Sequence, residues 1–300
     1  MKAFPRQKAI ALPLVLWGIA FLGALVVMVA VRMNERIEEE SRAECAFRAR
    51  QLALSGIAFG LHPDIQPGSP LLRSGDDDEG FRVEILNEAG RINPNTWIQG
   101  GNRDLFRSLF ASWDIPLDRA DSAIDSLIDW IDPDTLRQLA GAEAPEYSAA
   151  GLDGLPANAP LTGVREMASV LNLRDVLAER EGWSDLFTVW HSGKINIVHA
   201  NRDVLAGVGG LSDFEIDNLI TYRQGADGIQ GTDDDGTIES LDEALAIAGI
   251  NGERGAALEA FFSVGGDIRR VESTGICNGV EYKITAIVGD GGEPLAWEER

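Results

Sequence analysis

Residues 9–31 read AIALPLVLWGIAFLGALVVMVAV and contain no charged side chain. As an α-helix this stretch would be about 35 Å long, more than the roughly 30 Å hydrocarbon core of a bilayer. The alternative is a cleaved secretory signal. Against it, the apolar run is too long and no A-x-A site precedes Arg32. We therefore predict a membrane-spanning helix over about residues 10–31.

The charges on either side of this span predict its orientation. Lys2, Arg6 and Lys8 precede it, and four glutamates follow it between residues 35 and 40. Basic flanks stay on the cytoplasmic side of a membrane. We expect a cytoplasmic N-terminus and a C-terminal domain on the opposite side, which in a bacterium is the periplasm.

The residues after the span are predicted to continue the same helix. Residues 32–61 contain no proline, and their only two glycines lie near the far end. Apolar residues recur at the spacing that an amphipathic helix requires. Arg50 interrupts this apolar face once. The predicted apolar face consists of Ala43, Ala46, Phe47, Leu54, Ile57, Ala58 and Leu61. One helix would then cover residues 10–61.

The composition excludes several classes of function. The 300 residues carry a formal net charge of −22 and are 45% hydrophobic. Such an acidic chain repels nucleic acid, whereas divalent cations relieve the repulsion between its carboxylates. The three histidines, His62, His191 and His199, lie next to no nucleophile motif or metal-ligand spacing. We expect no enzyme activity and no nucleic-acid partner.

The soluble part mixes strand and helix patterns. Residues 81–85 alternate apolar and polar side chains, and Asn278-Gly279 predicts a hairpin turn between strands over 270–277 and 280–288. Helical spacing occurs at 124–131, and we expect another helix over 164–173. We predict an α+β fold in which the long N-terminal helix packs on a small antiparallel sheet, with an inserted all-helical subdomain over residues 98–182.

Two glycine-rich or acidic patterns have competing interpretations. Residues 204–223 have the pattern of a helix-hairpin-helix unit, but the acidic residues after its glycine turn would repel phosphate, which favours a packing role. Asp129, Asp132 and Asp134 have the composition of a metal site, yet Asp-Pro-Asp also ends helices in many proteins.

The sharpest local signal for a ligand is the segment GADGIQGTDDDGTIE, residues 225–239. Calcium binds six to eight oxygen ligands on loops whose glycines permit tight bends. The spacing differs from that of an EF-hand. The candidate ligands are Asp227, Asp233, Asp234 and Asp235. The alternative is a solvated acidic loop without a metal.

Only two cysteines are present, Cys45 and Cys277, too few for a disulfide scaffold. One bridge between them is possible in an oxidising compartment, and the sequence leaves this question open.

Three segments, taken in order along the chain, resemble one family. They are Arg6 to Leu12 (RQKAIAL), Leu127 to Asp134 (LIDWIDPD) with Gly141-Ala142-Glu143 and Tyr147 after it, and Gly193 to Asn196 (GKIN) with Gly209-Gly210-Leu211-Ser212. These segments are similar to those of the K-type minor pseudopilins of type II secretion systems (general secretion pathway protein K), and the likeness covers most of the chain.

The resemblance implies how the N-terminus is processed. Residues 1–9 would be a leader peptide that a prepilin peptidase cuts between Ala9 and Ile10, after which the new N-terminus is methylated. Alanine stands at position 9 where the family normally has glycine. Leu14 becomes the fifth residue of the mature chain, where most pilins carry a glutamate and K-type members an apolar residue. A subunit without that carboxylate does not have to dock on another one above it.

The resemblance also implies a structural role and a set of partners. Residues 62–97 and 183–300 would form the α+β pseudopilin domain, in a single-pass protein of the bacterial inner membrane. The protein would act at the tip of the type II secretion pseudopilus and support protein export across the outer membrane. Its partners would be other minor pseudopilins, the major pseudopilin, the prepilin peptidase and the inner-membrane platform. Calcium-bearing loops are known in pseudopilins, which strengthens the calcium hypothesis. The rival hypothesis is an anchored periplasmic calcium-binding or interaction protein outside any fibre.

Overall fold

The computed structural model describes residues 11–76, 78–191, 193–226, 228, 234–266, 268–289 and 291–300. Its first element is a continuous helix, α1 (Ala11–Gly60). At about 1.5 Å per residue, a helix of this length extends about 75 Å. The sequence prediction of one long N-terminal helix is therefore confirmed.

The C-terminal part of α1 packs on a five-stranded antiparallel sheet. The described strands are β1 (Arg73–Gly75), β2 (Glu79–Asn87), β3 (Ile195–Asn196), β4 (Phe262–Ser263), β5 (Arg269–Cys277), β6 (Val280–Val288) and β7 (Pro294–Glu299). In spatial order the strands of the sheet are β1-β2-β5-β6-β7. The predicted hairpin joins β5 to β6, and both turn residues have a positive φ, at Asn278 (47°) and Gly279 (77°), as a two-residue type I′ turn requires.

The chain segment between β2 and β5 is mainly helical. Its short strands β3 and β4 form a separate parallel pair. Its α-helices are α2 (Pro94–Gln99), α3 (Arg103–Ala111), α4 (Leu117–Ile131), α5 (Ala144–Ala149), α6 (Leu173–Leu177), α7 (Arg202–Gly209), α8 (Asp213–Arg223), α9 (Leu241–Ala248) and α10 (Gly252–Leu258).

One buried apolar cluster extends through this helical segment, from Ile92 to Phe262. A second, smaller cluster lies between α1 and the sheet and includes Ala53, Ile57, Val83 and Val271. The α+β class is thus confirmed. The helical core continues past residue 182, and the predicted subdomain boundaries at 98 and 182 stay a prediction.

Glycine determines how closely α1 approaches the sheet. A Cβ atom at Gly275 in β5 would overlap the Ala49 carbonyl and the Ala53 amide of the helix. On the helix side, a Cβ at Gly56 or Gly60 would overlap side chains of β2 and β5. Helix backbone and strand backbone are therefore in direct contact, which requires small residues on both sides.

The buried face of α1 differs from the predicted one. The helix buries Cys45, Ala49, Ala53 and Ile57, whereas Phe47 is 63% exposed. The large Phe47 side chain would not fit where the backbones are in contact. The prediction assigned residues to the buried face of α1 by their hydrophobicity. In the structure their size decides instead, because the helix lies so close to β5 that only small side chains fit between them.

The helix predicted over residues 164–173 is interrupted in the structure. A 3-10 helix covers Val164–Ser169, Val170 is extended, and α6 begins only at Leu173. Asn172 between them has a φ of 63°. A residue in this left-handed region cannot continue a right-handed helix, so the apolar spacing is divided between two short elements.

We expect Gly275→Ala to lower the free energy of unfolding by roughly 1–3 kcal/mol, because the added methyl group pushes α1 away from β5. Urea unfolding of the full chain in detergent, followed by tryptophan fluorescence, measures this loss. Gly163→Ala is the matched control, since a Cβ there meets no atom within 4 Å. Equal midpoints for the two variants would contradict the proposed backbone contact.

Candidate functional site: the N-terminal helix and its attachment

The N-terminal half of α1 exposes a long apolar surface. Val15–Met33 is long and apolar enough to cross a membrane, with a mean hydropathy of 2.3, and none of it is buried against the rest of the chain. Trp17, for example, is 79% exposed. In water such a surface would be strongly unfavourable, so the segment needs lipid or protein around it. It is therefore compatible with a single-pass membrane anchor.

The predicted assembly residues lie at the beginning of this helix or before it. Ala9 and Ile10, the predicted leader cleavage site, lie outside the described residues. Leu14 belongs to α1, three residues after the helix begins at Ala11. Cleavage between Ala9 and Ile10, and an assembly role for Leu14, stay predictions.

A charged pair attaches α1 to the last strand of the sheet. The Arg50 guanidinium donates to both carboxylate oxygens of Glu299 in β7, at 2.7 and 3.0 Å. Tyr282 Oη donates to the same carboxylate at 2.8 Å. The hydrogen bond from Arg50, helped by those from Trp297 and Tyr282, lowers the pKa of Glu299 to about 2. Arg50, which interrupts the predicted apolar face, has its partner 249 positions away in the chain.

The two cysteines lie together where α1 crosses the end of β5. Cys45 and Cys277 form a small buried cluster with Ala49, and both are free thiols. A hydrogen bond with Cys45, followed by burial, raises the pKa of Cys277 to about 11. The Cys277 thiol is therefore protonated near neutral pH and poorly nucleophilic. The Asn278 side-chain amide donates to Cys45 Sγ at 3.6 Å.

Only the base of the predicted calcium loop is described. Asp227 and Asp233 lie outside the described residues, whereas Asp234 and Asp235 lie within them. Asp234 Oδ2 accepts a hydrogen bond from the Ala226 amide at 2.6 Å. A Cβ at Gly225, whose φ is 61°, would overlap the Asp234 carboxylate. The glycine at this position thus makes room for a carboxylate that folds back over the base of the loop.

The helix pair α7–α8 has its glycine turn at Gly210, where φ is 57°. The Arg254 guanidinium donates to the Gly210 carbonyl at 2.9 Å and to the Glu215 carboxylate at 3.0 Å. This hydrogen bond from Arg254 is the main reason that the pKa of Glu215 falls to about 2. An ionised carboxylate and an arginine side chain already fill this turn, which supports the packing interpretation.

The comparisons with known proteins connect this fold to one family. Residues 88–180 match the family model described as Type II secretion system (T2SS), protein K. No curated protein sequence matches the chain. The chain shares its fold with one chain of the GspK-GspI-GspJ complex from the type 2 secretion system of enterotoxigenic Escherichia coli. The TM-score is 0.60 and the identity 19%, over 90% of this chain and 99% of that chain.

The predicted resemblance to type II secretion protein K is confirmed. The matched segment begins directly after β2 and includes α2 to α6. It contains two of the residue patterns that carried the resemblance, LIDWIDPD and Gly141-Ala142-Glu143. The match thus covers the first half of the helical segment that is inserted between β2 and β5, two neighbouring strands of the sheet.

Sequence reasoning missed the Arg50–Glu299 pair and the glycine contact at Gly275, and it left open whether the two cysteines meet. The signal available for the Arg50–Glu299 pair was a charged residue, Arg50, within an apolar helix face. The other two join residues more than 200 positions apart, so no local pattern could reveal them.

We expect mild oxidation of the full protein to join Cys45 to Cys277, because the two buried thiols are already hydrogen-bond partners. Thiol titration after denaturation should then find no free thiol, and mass spectrometry should find the two peptides linked. Cys277→Ser is the control, in which Cys45 should remain a free buried thiol. Two unreacted thiols in the oxidised native chain would show that the pair is not positioned to form a bond.

Proposed function

We propose that this chain is a structural minor pseudopilin that acts at the tip of a type II secretion pseudopilus and supports protein export across the outer membrane. The observation that carries the proposal is the combination of a protein K segment at residues 88–180 with a long helix whose N-terminal half is exposed and apolar. A helix of this kind can rest in a bilayer and later pack against equivalent helices in a fibre, because both environments cover the same apolar surface.

The tip position is supported by the shape of the subunit and by its N-terminus. The helical segment between β2 and β5 has its own core, with 39 buried residues among those that the structure describes, so it adds a bulky body to the sheet domain. A regular helical stack of small subunits leaves little room for such a body. Leu14 in place of a carboxylate fits a subunit with none above it, since an unpaired carboxylate in a membrane is costly.

The proposed partners follow from the complex in which the similar fold was found. That complex joins GspK to GspI and GspJ, and we propose equivalent minor pseudopilins as partners of this chain. The major pseudopilin would continue the fibre below the tip. The prepilin peptidase would cut between Ala9 and Ile10, and the inner-membrane platform would then draw α1 out of the inner membrane. The N-terminus would start in the cytoplasm and the folded domain would lie in the periplasm.

Deletion of the gene in its host should abolish or strongly reduce secretion and fibre assembly, and the wild-type gene should restore both. N-terminal sequencing of the membrane-extracted protein should show a mature chain that starts at Ile10, with a methylated amine. Normal secretion and normal fibres after deletion would overturn the proposal. An intact Met1 in the same protein would instead favour an anchored periplasmic protein outside any fibre.

We also propose that the loop at residues 225–239 binds calcium, with Asp227, Asp233, Asp234 and Asp235 as the candidate ligands. The described part of the loop fits such a site. The Asp234 carboxylate is held at the loop base by the Ala226 amide, in space that only a glycine at position 225 leaves open. Four aspartates within nine residues repel one another, and a divalent cation removes that repulsion.

Calcium should raise the melting temperature of the full chain in detergent, and a chelator should lower it. The double variant Asp233→Asn, Asp235→Asn loses two charged ligands. It should therefore lose most of the rise in melting temperature that calcium binding to the loop produces. Asp153→Asn, an exposed loop carboxylate in the helical segment, is the matched control and should leave the calcium response unchanged. An unchanged response in the double variant would overturn the loop site.

A further inference from the structure

The helical segment and the sheet domain, which consists of α1 and the five-stranded sheet, have separate apolar cores. The buried cluster of the helical segment and the side chains packed on it all come from residues 92–264. The cluster between α1 and the sheet takes its members from residues 52–85 and 271–286. Parts of one chain that no large apolar interface joins move relative to each other by default.

The chain crosses between these two parts at two adjacent points. It leaves the sheet at Asn87, the last residue of β2, and returns at Arg269, the first residue of β5, and these two residues are paired in the sheet. The Asn87 side-chain amide donates to the Gly266 carbonyl at 2.9 Å, and the Glu88 amide donates to the Ile268 carbonyl at 2.9 Å. The two crossings are therefore tied together side by side, which leaves one point about which the helical segment can turn.

The second crossing contains the residue type that suits a hinge. Gly265 and Gly266 both have a positive φ, of 112° and 96°. Glycine has the widest range of backbone angles, and hinges consist of a few loop residues that absorb changes in φ and ψ. At the first crossing Glu88, which is 1% exposed, pairs with Arg270 of β5 at 3.0 Å. This buried ion pair stabilises the pivot on which the glycines can bend.

Away from the hinge, the two parts are joined only weakly. Arg165 of the helical segment pairs with Glu298 of β7 at 3.4 Å, and the two side chains are 66% and 44% exposed. An exposed ion pair contributes about 1 kcal/mol or less. Among the described residues, no further ion pair joins the two parts outside the hinge. The helical segment can therefore turn without the loss of a strong contact.

A cleft of about 550 Å³ lies beside the hinge, between the two parts. One side belongs to the helical segment and includes Trp190 and Lys194, and the other side is the turn from β6 to β7, with Gly289 and Glu293. The two hinge glycines also line the cleft. Bending of the hinge therefore changes the width of the cleft directly.

The two sides of the cleft carry opposite charges that do not meet. Lys194 and Glu293 are both exposed, and neither forms an ion pair with any described residue. The Glu293 carboxylate lies over the β6–β7 turn, where a Cβ at Gly289 or Gly291 would overlap it. A rotation that narrows the cleft brings this carboxylate towards Lys194, and the attraction between the two charges favours the narrower form.

We propose that the helical segment turns as a rigid body on the hinge at residues 87–88 and 265–266, and that the turn closes the cleft by pairing Lys194 with Glu293. The structure shows the open form, in which the two side chains are apart. One exposed ion pair separates the two forms in energy, so both are populated. This motion belongs to the chain itself and does not depend on the proposed place of the subunit in a fibre.

Three spin-labelled positions on helices test the motion in the full chain in detergent. They are the exposed positions Ser55→Cys in α1, and Asp118→Cys and Ser148→Cys in the helical segment. They are introduced in pairs after Cys45→Ala and Cys277→Ala, which remove the two native cysteines. Pulsed electron paramagnetic resonance then measures the distances. At least one of the two pairs that include Ser55→Cys should give two distance maxima. The pair within the helical segment is the control and should give one narrow maximum.

Charge reversal tests how the cleft closes. Lys194→Glu should lower the population of the closed form at least about twofold, because repulsion from Glu293 replaces the attraction. The double variant Lys194→Glu, Glu293→Lys should restore that population. Arg180→Glu is the matched control, since Arg180 pairs with Asp203 inside the helical segment, and it should leave the distances unchanged.

Each outcome decides the proposal. Distance distributions across the hinge that are as narrow as the control overturn the motion. Two maxima that Lys194→Glu leaves unchanged, or that the charge swap does not restore, overturn the pairing of Lys194 with Glu293. If the chain without cysteines does not fold, hydrogen exchange of the unlabelled chain is measured instead. Lys194→Glu should then speed exchange in the segments that line the cleft and Arg180→Glu should not, and equal rates in the two variants overturn the proposal.

Discussion

The architecture depends on the direct contact between the backbone of α1 and that of β5. Gly275 lies against the Ala49 carbonyl. On the helix, Gly56 and Gly60 have no side chain and so leave room for the side chains of β2 and β5. This contact lets a single helix continue from an apolar segment into a folded domain without a hinge.

Side-chain contacts add to the attachment of α1 to the sheet beyond the backbone contact with β5. The Arg50–Glu299 pair joins the helix to the edge strand β7, and the two cysteines lie where the helix crosses the end of β5. The strands that hold these groups come from the last quarter of the chain. The helical segment is inserted between β2 and β5, and it leaves the sheet contact intact because its apolar side chains form a core of their own. The described part of the chain thus has one core in the helical segment and a separate one between α1 and the sheet.

Sequence patterns predicted much of this arrangement where the signal is local. The long helix, the β5–β6 hairpin and the α+β class follow from an uninterrupted apolar run, an Asn-Gly turn and alternating side chains. The buried face of α1 was predicted wrongly at Phe47, because hydrophobicity was weighed without the distance to the strand. The prediction of one helix over residues 164–173 was wrong for another reason. Asn172 has a positive φ, which the spacing of apolar residues does not reveal.

The sequence alone determined that the chain carries an apolar segment long enough to cross a bilayer, an acidic folded domain, and residue patterns of the type II secretion protein K family. Each of these is encoded in consecutive or regularly spaced residues. Only the tertiary structure decided which residues of α1 are buried, that Cys45 meets Cys277, and that Arg50 pairs with Glu299. These contacts join residues that are distant in sequence or separated by an irregular loop. Their geometry comes from packing, which no local pattern contains.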